Sequence, residues 1–270
     1  MDDRQFKRLL DVLGYRYEGY RRVRKGVKKR LRRHMRELGC RDVSAYLERI
    51  AASSAARDAC ILQMTVPISR FMRDWAFWEA LRDVWLPGLR QVFGPDLRAW
   101  SAGCACGEEA HSLAIIDRES DARPTAAVAP RLRIVASDLN PACLEKARSG
   151  VYPASSLRET PPELTALYFT ALRGGRRYRI DASLGKTITW ECGAIEGRRP
   201  APCYHLILLR NNVLTYCDIG RHKRLLANVV GQLYGGGLLV VGLGESVPDR
   251  PGLEPASDGF PYVFRKNSGA

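Results

Sequence analysis

Apolar positions along the chain follow two regimes: helical spacing up to residue 64, then short strand-like runs broken by glycine turns from residue 97 onward. Phe6, Leu9, Leu10 and Leu13 share one face of a predicted helix over 2–13. Val23, Val27, Leu31 and Leu38 form a stripe along a second, over 20–38, and helices over 43–52 and 56–64 complete a small bundle after the stop at Gly39. Pro67 then holds Val66 extended, and an aromatic helix with Trp75, Phe77, Trp78, Leu81 and Trp85 follows, its rings read as core. Beyond it, 97–102, 132–137, 204–209 and 238–241 read as buried strands. Between them the pattern predicts helices from Gly107, over 141–148, over 163–169 and over 222–233, the last stopped by Gly235-Gly236-Gly237. Strand-like runs at 178–180 and 187–192, with a turn at Gly174-Gly175, form an insertion at about 153–192, and 261–265 adds an antiparallel edge. The alternation predicts an α/β protein: a helical domain over 1–70, then a doubly wound sheet domain over 71–270 carrying a small β-rich insertion.

Where the first strand meets its helix the chain reads Trp100-Ser101-Ala102-Gly103-Cys104-Ala105-Cys106-Gly107-Glu108-Glu109. Two glycines let the backbone bend sharply and approach a ligand, as at the first turn of a nucleotide-binding sheet. The spacing departs from the Gly-x-Gly-x-x-Gly turn that cradles a pyrophosphate, and Glu108 and Glu109 in the first helical turn would repel a phosphate. A cationic ligand fits better, and the common one bearing adenosine is S-adenosylmethionine. The same glutamates also suit a bare helix start, where they compensate the dipole. Asp138 ends the second strand, where doubly wound folds hold ribose hydroxyls, and Asn140-Pro141 caps the following helix. Arg210-Asn211 ends the 204–209 strand at the same carboxyl edge.

Charge adds a partner to this picture. The net charge is +14, and residues 1–50 hold 16 Lys/Arg against 7 Asp/Glu. Arg24, Lys28, Arg32 and Arg36 run at i, i+4 along the 20–38 helix, a spacing that costs a few tenths of a kcal/mol per like-charge pair. That row is either a solvated face or a docking surface for an acidic partner. It lacks the interleaved aromatics that stack bases, so an acidic helical protein ranks ahead of nucleic acid. At 270 residues and 46% hydrophobic the chain can bury a full core. No apolar run reaches membrane-spanning length and the amino terminus lacks a signal-peptide pattern, so a soluble, cytoplasmic protein without membrane insertion is expected. Its eight cysteines lack paired Cys-x-x-Cys spacing and read as reduced thiols, with no metal expected.

Six stretches in order resemble the chemotaxis receptor methyltransferase family, of the CheR type, over about residues 5–267: Tyr20 through Gly39, Ser69-Arg70-Phe71-Met72-Arg73-Asp74, Trp100 through Ala114, Ala136-Ser137-Asp138 with Leu144 through Tyr152, Leu209-Arg210-Asn211 with Thr215-Tyr216, and Gly242-x-x-Glu245. The resemblance implies a doubly wound S-adenosylmethionine-dependent methyltransferase fold. It also implies transfer of methyl to glutamate side chains of a chemoreceptor cytoplasmic domain, giving γ-glutamyl methyl esters and S-adenosylhomocysteine. Carried over by position, it assigns cofactor contact to Ser69, Arg73, Gly103, Glu109, Asp138, Ile195, Arg210 and Asn211. Arg73 and Tyr216 would face the reacting methyl, and Arg24, Lys28, Arg32 and Arg36 would dock the receptor's helical bundle.

Departures from the family pattern mark a divergent branch. Pro67 stands where an asparagine is usual, Ala194 where an asparagine is expected before Ile195, and His111 where a tyrosine is usual. The turn after Arg210-Asn211 is one residue longer before Tyr216. Two other classes stay open from sequence: a methyltransferase acting on nucleic acid or a small molecule, and a binding module that keeps the cofactor without turnover.

Overall fold

The computed structural model describes residues 1–121, 131–196, 204–247 and 252–269. The chain forms two compact units, one of Met1–Pro67 with Asn212–Arg224, the other of Ile68–Asn211 with Leu225–Ala270. The helical unit thus closes at Pro67 and takes back a second segment, where the sequence pattern gave a single boundary at 70.

In the helical unit, the helix Asp3–Leu13 starts on a capping box between Asp2 and Gln5, and it buries Phe6, Leu9, Leu10 and Leu13 as its spacing requires. The predicted 20–38 helix is instead two, Tyr17–Tyr20 and Arg24–Glu37. Helices Val43–Ala52 and Ser54–Met64 are capped by the side chains of Asp42 and Ser53. All of them converge on a core containing Tyr20, Val27, Leu31, Tyr46, Ile50 and Cys60. The returning segment is tied in by its backbone. The Arg16 N–H donates to the Tyr216 carbonyl at 2.8 Å, and Tyr15 forms an antiparallel bridge with Cys217. Gly19 lies so close that a Cβ there would stand 2.3 Å from the Thr215 carbonyl oxygen.

Among the described residues the sheet unit has ten strands: β1 (Asp96–Ala102), β2 (Arg131–Asp138), β3 (Val151–Pro153), β4 (Phe169–Ala171), β5 (Arg177–Ile180), β6 (Ile188–Cys192), β7 (Tyr204–Leu209), β8 (Leu233–Val241), β9 (Leu253–Pro255) and β10 (Val263–Lys266). Seven make the main sheet, in the order β6-β2-β1-β7-β8-β10-β9. The first five run parallel, while β10 is antiparallel to both β8 and β9. β7 is buried at every position, as a central parallel strand covered on both faces must be. The order reverses at β1, so right-handed crossovers place the helices Glu108–Asp121 and Pro141–Ser149 on one face and return β7 and β8 along the other side.

Three readings of the pattern change here. The 187–192 run does not belong to the insertion: β6 is the outer strand of the main sheet, with Asp138 paired to Cys192. The insertion sheet is β3-β5-β4, whose flanking strands are only three residues long and too short to show a period of two. The Gly174-Gly175 turn joins β4 to β5, and Phe169 opens β4 instead of closing the preceding helix. Third, Gly235-Gly236-Gly237 lies inside β8 and does not stop a helix. There the pairing with β7 shifts register, and a Cβ on Gly237 would press on two backbone carbonyls at 3.0 and 3.1 Å. Among the described residues no helix is long and apolar enough to cross a membrane, and seven cysteines are free thiols.

Candidate active site

Parallel pairing keeps the carboxyl ends of the central strands level, with Ser101 beside both Ala136 and Leu208, so the turns after β1, β2 and β7 gather at one edge. In the first turn the N–H groups of Gly103 and Cys104 both donate to the Ser137 carbonyl, at 2.8 and 2.9 Å. Ala105 donates its N–H to one Asp138 oxygen at 2.9 Å and Asn140 donates to the other at 2.8 Å. Burial lifts the Asp138 carboxyl above the usual range, and these N–H groups pull it back. The turn closes on Gly107 at φ 90, where a Cβ would stand 2.6 Å from the Ala147 Cβ and 2.8 Å from the Trp190 ring.

The two glutamates that follow diverge. Glu108 turns toward the insertion, where Ser156 Oγ donates to it at 3.2 Å. Glu109 stays at the end of β1: Ser101 Oγ donates to its Oε1 at 2.7 Å, and its Oε2 lies 3.7 Å from Arg210. Burial raises the Glu109 carboxyl, with Arg210 the leading opposing influence.

A third segment, residues 69–74, is held by groups from several elements. Phe71 donates its N–H to the Ser156 carbonyl at 2.9 Å, and its ring packs edge-on against Tyr152 and Phe169 at 4.7 and 4.8 Å. Met72 donates its N–H to Ser112 Oγ at 3.0 Å. Glu159 accepts from Arg70 at 2.6 Å and from the Asp74 N–H at 3.4 Å. The Arg73 carbonyl accepts from Trp78 Nε1 at 2.9 Å and from Arg210 at 3.2 Å, while Arg210 also pairs with the Asp74 carboxylate. The Arg210 side chain is 2% exposed, and its guanidinium lies over the Phe77 and Trp78 rings at 5.0 and 5.7 Å.

Strain concentrates here. Among the described residues the non-glycine positions with positive φ are Met72, Asp74, Ala105 and Asn211, and all fall in the 69–74 segment or in the turns after β1 and β7. Each such residue costs of order 1–3 kcal/mol and persists where surrounding structure over-determines it, which is characteristic of functional sites. At Asn211 the over-determining group is Glu245, which accepts from the N–H groups of Asn211 and Gly242 at 2.9 and 2.7 Å.

The structure therefore brings Arg73, Gly103, Glu109, Asp138, Arg210 and Asn211 to one edge of one unit. Ser69 opens the 69–74 segment, and Ile195, half-buried, follows β6 past Gly193, whose N–H donates to the Asp138 carbonyl at 3.0 Å. Arg73 is half-buried with no salt bridge among the described residues. Tyr216 lies in the helical unit, its ring 4.7 Å from that of Tyr20. The basic row also lies there and is not uniformly free: Arg24 and Lys28 pair with Asp3, and Arg32 donates to the Met1 carbonyl at 2.6 Å. Lys25, Lys29, Arg32, Arg33 and Arg36 are the exposed cations of that helix. Sequence reasoning assigned no role to Asp74, Ser112 or Glu159; only the place of Asp74 directly after Arg73 hinted at one.

His111, in the helix behind the turn, is 3% exposed and packs between Tyr152 and Trp190. Burial lowers its pKa to about 4. The unfolded chain, near 6.5, therefore binds the proton first, so this stabilising contribution is complete above about pH 6.5 and is lost as pH falls toward 4. The expected amount is up to about 3 kcal/mol. Thermal melts from pH 7 to 4.5 should fall more steeply for the native protein than for His111→Tyr; parallel curves would remove His111 as the cause.

Residues 68–261 match the family described as CheR methyltransferase, SAM binding domain. The chain is 30% identical over 243 residues to Cher3 of Pseudomonas putida, covering 87% of this chain and 85% of that protein. It is 30% identical over 226 residues to the chemotaxis protein methyltransferase of Salmonella typhimurium, covering 82% and 75%, and 29% identical over 228 residues to that of Escherichia coli, covering 82% and 76%. The fold and the acidic, glycine-turned sheet edge define an S-adenosylmethionine-dependent methyltransferase. This chain belongs to the CheR methyltransferase family.

The described residues fit the cofactor the family uses. A glycine turn with no room for a Cβ opens at the end of β1, and a carboxylate stands at the end of β2. A second, desolvated carboxylate, Glu109, sits where a cationic group is favoured over an anionic one.

Proposed function

We propose that this protein methylates glutamate side chains of a chemoreceptor-type helical protein, with the Arg73 loop as the carboxylate-receiving element. The observation that supports it most is the half-buried Arg73 guanidinium, without a salt bridge among the described residues, on a segment whose backbone is pinned at Phe71, Met72, Arg73 and Asp74. A forked cation held on fixed backbone suits a planar carboxylate. Asp138 would hold the ribose hydroxyls, and Gly103 and Glu109 would line the rest of the cofactor's place. Bound there, S-adenosylmethionine supplies an electrophilic methyl on a sulfonium.

The protein's own task is placement. An acceptor glutamate has a reference pKa of about 4.3 and is already ionised at neutral pH, so no general base is required. Aligning it and excluding water can contribute on the order of 7–11 kcal/mol. The exposed cations of the 24–37 helix give the acidic acceptor a complementary surface.

Incubation with methyl-labelled S-adenosylmethionine and host-cell lysate, followed by gel separation and mild alkali, tests the proposal. The expected result is label on a membrane-receptor band that alkali releases as methanol. Alkali-stable label, or label on RNA, would overturn it.

A further inference from the structure

Aspartate directly before a helix ordinarily caps it, and Asp74 precedes the helix Trp75–Ala80. It does not cap: its side chain makes no hydrogen bond to that helix, and its backbone sits at φ 64. The carboxylate is directed instead to Arg210, whose same nitrogen also donates to the Arg73 carbonyl at 3.2 Å. Arg210 thus joins the main-chain oxygen of Arg73 to the side chain of the next residue, and Trp78 Nε1 fixes that oxygen from a second direction. Asp74 also has an electrostatic consequence. Arg210 stands between Asp74 and Glu109, so its guanidinium is taken up by two carboxylates, while Arg73 makes no salt bridge among the described residues.

We infer that Asp74 is a positioning residue for methyl transfer, acting through Arg73 by fixing the peptide that carries it and by occupying Arg210. The inference rests on the reading of Arg73 as the carboxylate-receiving residue. Left-handed backbone is tolerated by asparagine and aspartate more readily than by other non-glycine residues, so Asp74→Asn removes the charge while leaving the turn accessible.

The test compares Asp74→Asn, Arg73→Ala and the double variant in the full chain. For Asp74→Asn, alkali-labile methyl transfer should fall about tenfold to a hundredfold, the scale expected when a reacting partner is misplaced by about an ångström. Binding of S-adenosylhomocysteine, followed by calorimetry, should stay within about threefold of the native protein, separating positioning from cofactor contact. The double variant should be no slower than Arg73→Ala alone. Multiplying effects, or loss of S-adenosylhomocysteine binding in step with rate, would overturn the inference. Should Asp74→Asn unfold, Asp74→Gly relieves the positive φ while removing the same carboxylate, and is expected to show the same loss of rate. An Arg73→Ala protein with native activity would instead sink the reading of Arg73 itself, whatever Asp74 does.

Discussion

Arg73→Ala is expected to lower methyl transfer at least about a hundredfold, because on the proposed reading it removes the group that orients the acceptor carboxylate and leaves it free to rotate. Arg73→Lys should recover only part of the loss, since a lysine restores the charge but not the two parallel donors. The fold should be untouched in both. The Arg73 guanidinium has no salt bridge among the described residues, and the bonds holding the segment are made by its backbone and by Asp74. Single-turnover rates and thermal melts measured on the same preparations check this. An unchanged rate, or a large loss of thermal stability, would count against it.

Gly107→Ala carries the largest expected effect on stability. The backbone there has φ 90, and the added methyl carbon would meet Ala147 Cβ at 2.6 Å and the Trp190 ring at 2.8 Å. Left-handed backbone costs a non-glycine residue about 1–2 kcal/mol, and overpacking a filled site about 1–3 kcal/mol more. The sum, about 2–5 kcal/mol, is a large share of a domain's total of roughly 5–15 kcal/mol. Denaturant midpoints measure it. The companion Gly174→Ala, where the φ is 84 but no atom lies within 4 Å, should cost only the backbone part.

Much of the site was legible because its signals are local. A strand stopping before Gly103, a helix opening after Gly107 and a strand ending in Asp138 each declare themselves within a dozen residues, and the structure realises all three. What the pattern missed depends on partners distant in sequence. Residues 187–192 alternate like an exposed strand, and nothing near them says that their neighbour is β2 and not β5. Likewise Arg210 reads as a cation at a strand's carboxyl end, suited to a ligand. Only folding shows its fork taken up by Asp74, the Arg73 carbonyl and Glu109. The Gly235-Gly236-Gly237 run had the composition of a helix stop, but it lies inside β8, and at Gly237 the His205 carbonyl of β7 comes so close that a Cβ would stand 3.1 Å from it.

The discontinuous helical unit bears on how such a protein could be rebuilt. The segment Asn212–Arg224 supplies partners of Tyr15, Arg16, Gly19 and Tyr20, so a fragment ending at Pro67 would leave Tyr20 without the Tyr216 ring and the Arg16 N–H without its acceptor. Recombination that exchanges the helical unit therefore cannot use one crossover. It must replace two stretches of the gene together, one at the start and one just past Asn211, and a graft carrying only the first would inherit a bundle fitted to the wrong closing segment.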